Sequence, residues 1–280
     1  MQLYTIDTGF FKLDGGAMFG VVPKIIWHKT NPADELNLCT WATRLLLIEE
    51  ADRLILVDTS IGNKQSEKFF SYYYRHGEDT LDSSLARHGF HRDDITDVFL
   101  THLHFDHAGG AIDQVGDQYV PAFKHASYWS NERHWRWATV EPNERERASF
   151  LKENILPIAE SGKLKFIKEE DGIRFSEHVT VRFAYGHTDA MMLPQIDYRG
   201  RTLLYMADLL PSVGHIPIPY VMGYDSFPMK TLEEKKRILQ EAYENNYILF
   251  LEHDSVNECC TLKQTEKGLR LDQTFKLTEI

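Results

Sequence analysis

Cysteine is scarce in this 280-residue chain: Cys39, Cys259 and Cys260 are all it has. They show no metal-binding or redox spacing, and the adjacent pair is badly placed to bridge. A disulfide framework is therefore excluded, and a reduced, cytoplasmic setting is expected. No run of eighteen apolar residues occurs, and Met1 to Asp7 offers no basic stretch leading into an apolar one. Neither a membrane span nor a signal peptide is expected. Positive charge is also short, with 31 Lys and Arg against 42 Asp and Glu and a formal net charge of −11. That balance argues against a nucleic-acid partner, which needs a track of cations for phosphates. Gly-x-Ser-x-Gly, Gly-x-Gly-x-x-Gly, the Walker A loop and His-Glu-x-x-His are all missing, which removes the chemistries those motifs serve. Repeats and low-complexity linkers are absent too. What remains is an ordinary globular composition, 42% hydrophobic and 26% charged, with ample material for a core.

The informative stretch is Thr101-His102-Leu103-His104-Phe105-Asp106-His107, followed by Ala108-Gly109-Gly110. Four metal-ligand types fall within six positions. Ile95 to Leu100, just before them, is apolar and β-branched and reads as a buried strand. The glycine pair suits a tight turn. In extended chain, side chains at i and i+2 share a face, so His102 and His104 can grip one ion together. Asp106 and His107 follow once the chain has turned, and are better placed to hold a second ion beside the first. Imidazole and carboxylate suit zinc, iron or manganese.

His-x-His-x-Asp-His after a hydrophobic strand resembles the signature of the metallo-β-lactamase superfamily, and further motifs follow in order. Gly186-His187-Thr188 resembles the motif giving the first metal its third His. The strand-like Thr202–Ala207 ends at Asp208, which matches the carboxylate bridging the metals. Ile248–Leu251 reads as a last strand before Glu252-His253-Asp254, where His253 matches the second metal's last His. Upstream, Leu54 to Thr59 resembles the early strand whose Asp58 lies beside the site. The resemblance covers roughly Leu45 to His253.

It implies an α/β fold, a four-layer αββα sandwich of two mixed sheets flanked by helices. One domain over residues 1–280 is expected, with a helical insertion at about 128–160. Two divalent ions, zinc first and iron or manganese next, would be held by His102, His104, Asp106, His107, His187, Asp208 and His253. Asp58, Asp106 and Asp208 are the implied catalytic carboxylates: Asp58 orients a ligand, Asp106 can shuttle a proton, and Asp208 bridges. A water between the ions, its pKa brought toward about 7, would attack a small-molecule ester, lactone or phosphotriester. A glyoxalase II-like thioester hydrolase is the nearest alternative, and a nucleic-acid phosphodiesterase ranks lower. A homodimer stays open.

Departures from the family pattern narrow the activity. Ser60 stands where Gly is usual after Asp-Thr, and Asp189-Ala190-Met191 replaces the usual Pro-Gly-His. Asp208 disfavours antibiotic hydrolysis, and His-x-His in place of His-x-Glu argues for hydrolysis over oxygen reduction. Relatives among the lactonases often carry a Tyr shortly after the bridging Asp. Here Leu209-Leu210-Pro211 follows, and the nearest tyrosines are Tyr220 and Tyr224.

Strands are expected at 3–8, 16–22, 42–49, 53–57, 122–128, 164–167, 179–183 and 201–207. Helices are expected at 80–88, 130–137, 143–158 and 231–243. In 143–158, Glu144 to Arg147 reads as a solvated face opposite Phe150, Leu151, Ile155 and Ile158. Trp129, Trp135 and Trp137 either pack a helix or wall the pocket. Met18 and Phe19 could shape substrate choice, and His215 is a candidate pocket residue.

Overall fold

Along Leu45–Ile48 and Leu54–Val57 apolar side chains alternate between two surroundings, and this period of two decides the layering. Leu46, Ile48, Ile55 and Val57 join the cluster shared with a second sheet. Leu45, Leu47, Leu54 and Leu56 point the other way, onto helices.

The computed structural model describes residues 1–280. The first half supplies β1 (Gln2–Asp14), β2 (Leu38–Glu50), β3 (Arg53–Val57), β4 (Asp97–Phe99), a hairpin of β5 (Ile112–Val115) and β6 (Gln118–Pro121), β7 (Ser127–Ser130) and β8 (Leu164–Phe166). The second supplies β9 (Ile173–Arg174), β10 (Val179–Ala184), β11 (Met191–Tyr198), β12 (Arg201–Tyr205), β13 (Ile248–Phe250), β14 (Cys259–Thr265) and β15 (Gly268–Phe275). One sheet runs β1-β2-β3-β4-β7-β8 and the other β15-β14-β13-β12-β11-β10-β9. Both are mixed: β3, β4, β7 and β8 are mutually parallel, as are β12 and β13. Leu81 and Leu85 of helix Leu81–Arg87, with Ile155 and Ile158 of helix Lys152–Glu160, cover the outside of the first sheet. Helix Pro228–Glu244 covers the second with Ile238, Leu239 and Ala242. These four layers are the expected fold. No helix is long and apolar enough to cross a membrane.

Several local expectations give way. Residues 16–22 are not a strand, because the Asp14 carboxylate accepts from Ala17 N at 2.8 Å and caps a short helix, Gly15–Phe19. The strand expected at 122–128 begins only at Ser127, where it pairs in parallel with β4. The helix expected at 143–158 is a 3₁₀ turn, Arg147–Ser149, followed by Lys152–Glu160.

Chain ends of the parallel strands all meet at one edge. Asp58 follows β3, His102 and His104 follow β4, Asp208 follows β12 and His253 follows β13. Strand β2 stitches the two sheets together there: Ala42 N donates to His253 O at 3.0 Å, and Arg44 N to Glu252 O at 3.1 Å.

Candidate metal centre

The seven expected ligands, separated by up to 151 positions in sequence, converge in two groups of buried donors: His102, His104, His187 and Asp208, and beside it Asp106, His107 and His253. In the first, His104 Nδ1 lies 3.1 Å from His102 Nε2 and 3.2 Å from His187 Nε2. In the second, His107 Nε2 and His253 Nε2 are 3.2 Å apart, and the Asp106 carboxylate is 3.9 Å from the former and 4.0 Å from the latter. Asp208 stands between the groups, Oδ2 3.0 Å from His187 Nε2 and Oδ1 3.0 Å from His253 Nε2.

What lies behind each ring fixes its tautomer. His104 Nε2 donates to Glu146 at 3.0 Å and His187 Nδ1 to Asp225 at 2.9 Å. His107 Nδ1 donates to Asp58 at 3.0 Å, and His253 Nδ1 to the carbonyl of Ala42 at 2.8 Å. His102 follows by elimination. The single hydroxyl proton of Thr101 is given to Asp58 at 2.7 Å, so Thr101 Oγ1 accepts from His102 Nδ1 at 3.1 Å. As neutral imidazoles, all five rings therefore turn lone pairs inward, toward one another. Buried Asp208 Oδ1 likewise has no hydrogen-bond donor. Converging lone pairs with nothing to separate them fit metal cations, and the donor set suits zinc, iron or manganese. Burial opposes charge on His187 and His253, yet Asp208 draws their pKa values up to about 10 and about 9. Protons thus compete with a cation for the same space.

The loops carrying the ligands are locked by close backbone approach. A single helical turn, Phe105–Ala108, begins after His104, whose carbonyl accepts from His107 N at 3.1 Å, and rotates Asp106 and His107 away from the first group. Gly109 and Gly110 open a 3₁₀ turn, Gly109–Ala111, and also make room for a neighbouring loop. A Cβ on Gly109 would stand 1.9 Å from Ile61 O, and one on Gly110 2.1 Å from Thr59 O, so the Asp58–Gly62 loop lies directly on the ligand loop. Asp58 itself is in the left-handed region, φ 61°, and is wholly buried. Its Oδ1 accepts from Thr101 N at 2.8 Å. That conformation costs energy for a non-glycine residue and is held by these bonds.

Residues 42–253 match the profile of the metallo-beta-lactamase superfamily. The chain belongs to that superfamily. As such it is a metal-dependent hydrolase with lactonase-like relatives. An N-acyl homoserine lactonase of Bacillus cereus is 25% identical over 270 residues, 92% of this chain and 94% of that protein. One from Bacillus sp is 29% identical over the same span. Among solved structures, a probable metal-dependent hydrolase from Staphylococcus aureus superposes with a TM-score of 0.85 at 28% identity and covers 98% of both chains. AidC, a dizinc quorum-quenching lactonase in complex with a product, gives 0.79 at 23%, covering 98% of this chain and 95% of its own.

Above the candidate ligands of this hydrolase opens a pocket of about 120 Å³. Met18 and Tyr224 line it, while Phe19, Tyr220 and His215 do not. Phe19 is sandwiched between Trp27 and His215. His215, a candidate pocket residue by sequence, is buried beneath the wall, where its Nε2 donates to Met18 O at 2.9 Å. The tryptophans form no wall: Trp129 donates to Asp97 at 2.7 Å, Trp135 lies against Phe166, and Trp137 donates to Glu146 at 2.8 Å.

Sequence reasoning missed Glu146, Asp225, Glu252 and Tyr73. Glu146, expected on a solvated face, is 3% exposed because the 3₁₀ turn aims it at His104. Burial would raise its pKa, but His104 above all, with Ser226, brings it down to about 2. Glu252 sits 3.2 Å from His107 Nδ1, and burial pushes its carboxyl up to about 7. No spacing rule reaches Glu146 or Asp225, since each meets its histidine only through the fold. Glu252 was adjacent to a ligand and could have been flagged.

Proposed function

We propose that this hydrolase is binuclear and cleaves a small lactone or ester. The observation that carries the reading is the convergence of five inward lone pairs on the two sides of Asp208. His102, His104, His187 and Asp208 would hold one ion; Asp106, His107, His253 and Asp208 the other. Zinc is the proposed metal. When bound, such ions supply Lewis acidity and bring water to a pKa at which it attacks at neutral pH.

The chain's own side chains do the remainder. Asp58 keeps His107 in the tautomer that faces inward and pins Thr101, which in turn fixes His102. Glu146 and Asp225 do the same for His104 and His187. Asp106 lines the pocket and would carry a proton to the departing oxygen. Phe11, Leu13, Met18, Phe105 and Met222 give the pocket an apolar wall that thins water around the reacting bond. The lactonase relatives support a lactone, including the N-acyl homoserine class. We take residues 1–280 as one functional unit, with the stretch at about 128–160 as an insertion whose Glu146 serves the site.

Elemental analysis of the purified protein, followed by assays on lactones, aryl esters and a paraoxon-type triester, tests this. Two ions per chain and lactone or ester turnover are expected, and Asp208→Ala should lose most of one ion and nearly all turnover. Protein that carries two ions, ignores every lactone and ester and cleaves a nucleotide diester would overturn it.

A further inference from the structure

The mouth of the pocket is built differently from its wall. Tyr73, Tyr224 and Arg145 line it and come from three separate parts of the chain. Neither phenol hydroxyl has a hydrogen-bond partner within the protein. Tyr73 is fixed in place: its ring lies against Phe105 at a centroid distance of 4.7 Å, and its carbonyl accepts from Lys12 N at 2.7 Å. Tyr224 is 41% exposed at the rim. Burial first, and then the charge of Asp106, push the Tyr73 hydroxyl up to about 12; burial, followed by Asp14 and Tyr73, does the same for Tyr224. Both phenols therefore stay protonated and able to donate. Arg145 uses Nη2 alone, on Gly223 O at 2.5 Å and Asp225 O at 3.3 Å, and forms no ion pair. Its Nε and Nη1 are free, and a guanidinium can only donate.

Deeper in, the carboxylate of Glu146 already receives His104, Trp137, Asn143 and Ser226, so it offers these donors nothing. An apolar substrate seated here would displace water from these donors without replacing its hydrogen bonds, a cost that falls most heavily on half-buried Tyr73. An oxygen acceptor would satisfy them.

Resting on the lactone and ester reading, we propose that Tyr73, Tyr224 and Arg145 form a donor rim that selects substrates carrying a second acceptor oxygen besides the scissile carbonyl. An amide or ester carbonyl and a carboxylate share that chemistry. The rim is a specificity device that acts on the part of the substrate remote from the bond being cleaved.

Three γ-lactones of equal chain length test it: one with a plain α-alkyl group, one with an α-acylamino group and one with an ω-carboxyalkyl group. The expected result is a kcat/KM at least about tenfold higher for one or both acceptor-bearing lactones, expressed mainly in KM. In Tyr73→Phe the ratio to the alkyl lactone should fall by about fivefold or more, with metal content unchanged. An acylamino preference marks a carbonyl acceptor, a carboxyalkyl preference a carboxylate that engages Arg145. Binding of the ring-opened products, measured by calorimetry on wild-type and Tyr73→Phe protein, gives the same comparison without turnover. If no lactone or ester is cleaved, the proposed reaction fails, and the calorimetric comparison alone decides the rim. Equal kcat/KM for all three lactones, or a ratio and product affinity that both survive Tyr73→Phe and Tyr224→Phe, would overturn it.

Discussion

His104 and Glu146 are joined by a 3.0 Å hydrogen bond across 42 positions of sequence, and that bond decides which nitrogen of His104 faces the metal pocket. With the proton held on Nε2, Nδ1 turns its lone pair into the space it shares with His102 and His187. A carboxylate behind a ligating imidazole also raises its basicity. Glu146→Gln keeps the shape and loses the charge, so the affinity of the first ion should fall by roughly 10–100-fold. Chelator competition, read separately for the two ions, checks this. Equal loss from both ions would point to general unfolding instead.

A pH dependence follows from His134. This buried ring accepts from Leu103 N at 2.9 Å and donates to Asp189 O, holding the bend between His102 and His104. Burial lowers its pKa from 6.5 to about 4. Between those values the unfolded chain takes up a proton that the folded one refuses, so stability falls as pH drops from about 6.5 to 4. The loss is on the order of 3 kcal/mol. Denaturant titrations of metal-free protein at pH 7 and pH 4.5 measure it, and His134→Gln should shrink the difference without abolishing it, because burial also lowers the pKa of His215, to about 3.

Ser60 and Ala190 occupy the positions where glycine is usual, and both keep the backbone that glycine favours, with φ 65° and 55°. A left-handed L-residue costs about 1–2 kcal/mol, and glycine returns about 0.4–1 of that through the entropy of the unfolded chain. Ser60→Gly and Ala190→Gly should each stabilise the protein by roughly 0.5–1 kcal/mol. Thermal melts would show a rise of roughly 2 °C. A lower midpoint would mean that their side-chain packing outweighs the strain.

Gly109→Ala should do the reverse. The added methyl would press on Ile61 O at 1.9 Å, forcing the Asp58 loop off the His107 loop. Overpacking of this kind costs about 1–3 kcal/mol. Because the displaced groups hold His107, retention of the second ion through gel filtration should fall along with the melting temperature.

The candidate ligands were legible because their chemistry is local: four donor types in six positions after a hydrophobic strand, then single histidines and an aspartate at strand ends. The sheets were legible where side chains alternate, as in Leu45–Ile48. Short helices were not, because Gly15–Phe19 depends on one Asp14 cap and Lys152–Glu160 on a preceding 3₁₀ turn that no periodicity announces. The sequence left the tryptophans and His215 undecided between packing and pocket, because burial in a wall and exposure in a pocket have the same composition.

By itself, then, the order of residues determined the superfamily, the layer architecture and the seven candidate ligands, since each is written in side-chain type and short spacing. Only the tertiary structure decided which nitrogen of each ring faces inward, that Glu146 and Asp225 stand behind two of them, and that Tyr73 and Arg145 reach the pocket mouth. Those are contacts between groups tens of residues apart. Their geometry is set by how two sheets pack, and packing leaves no periodic trace in the chain.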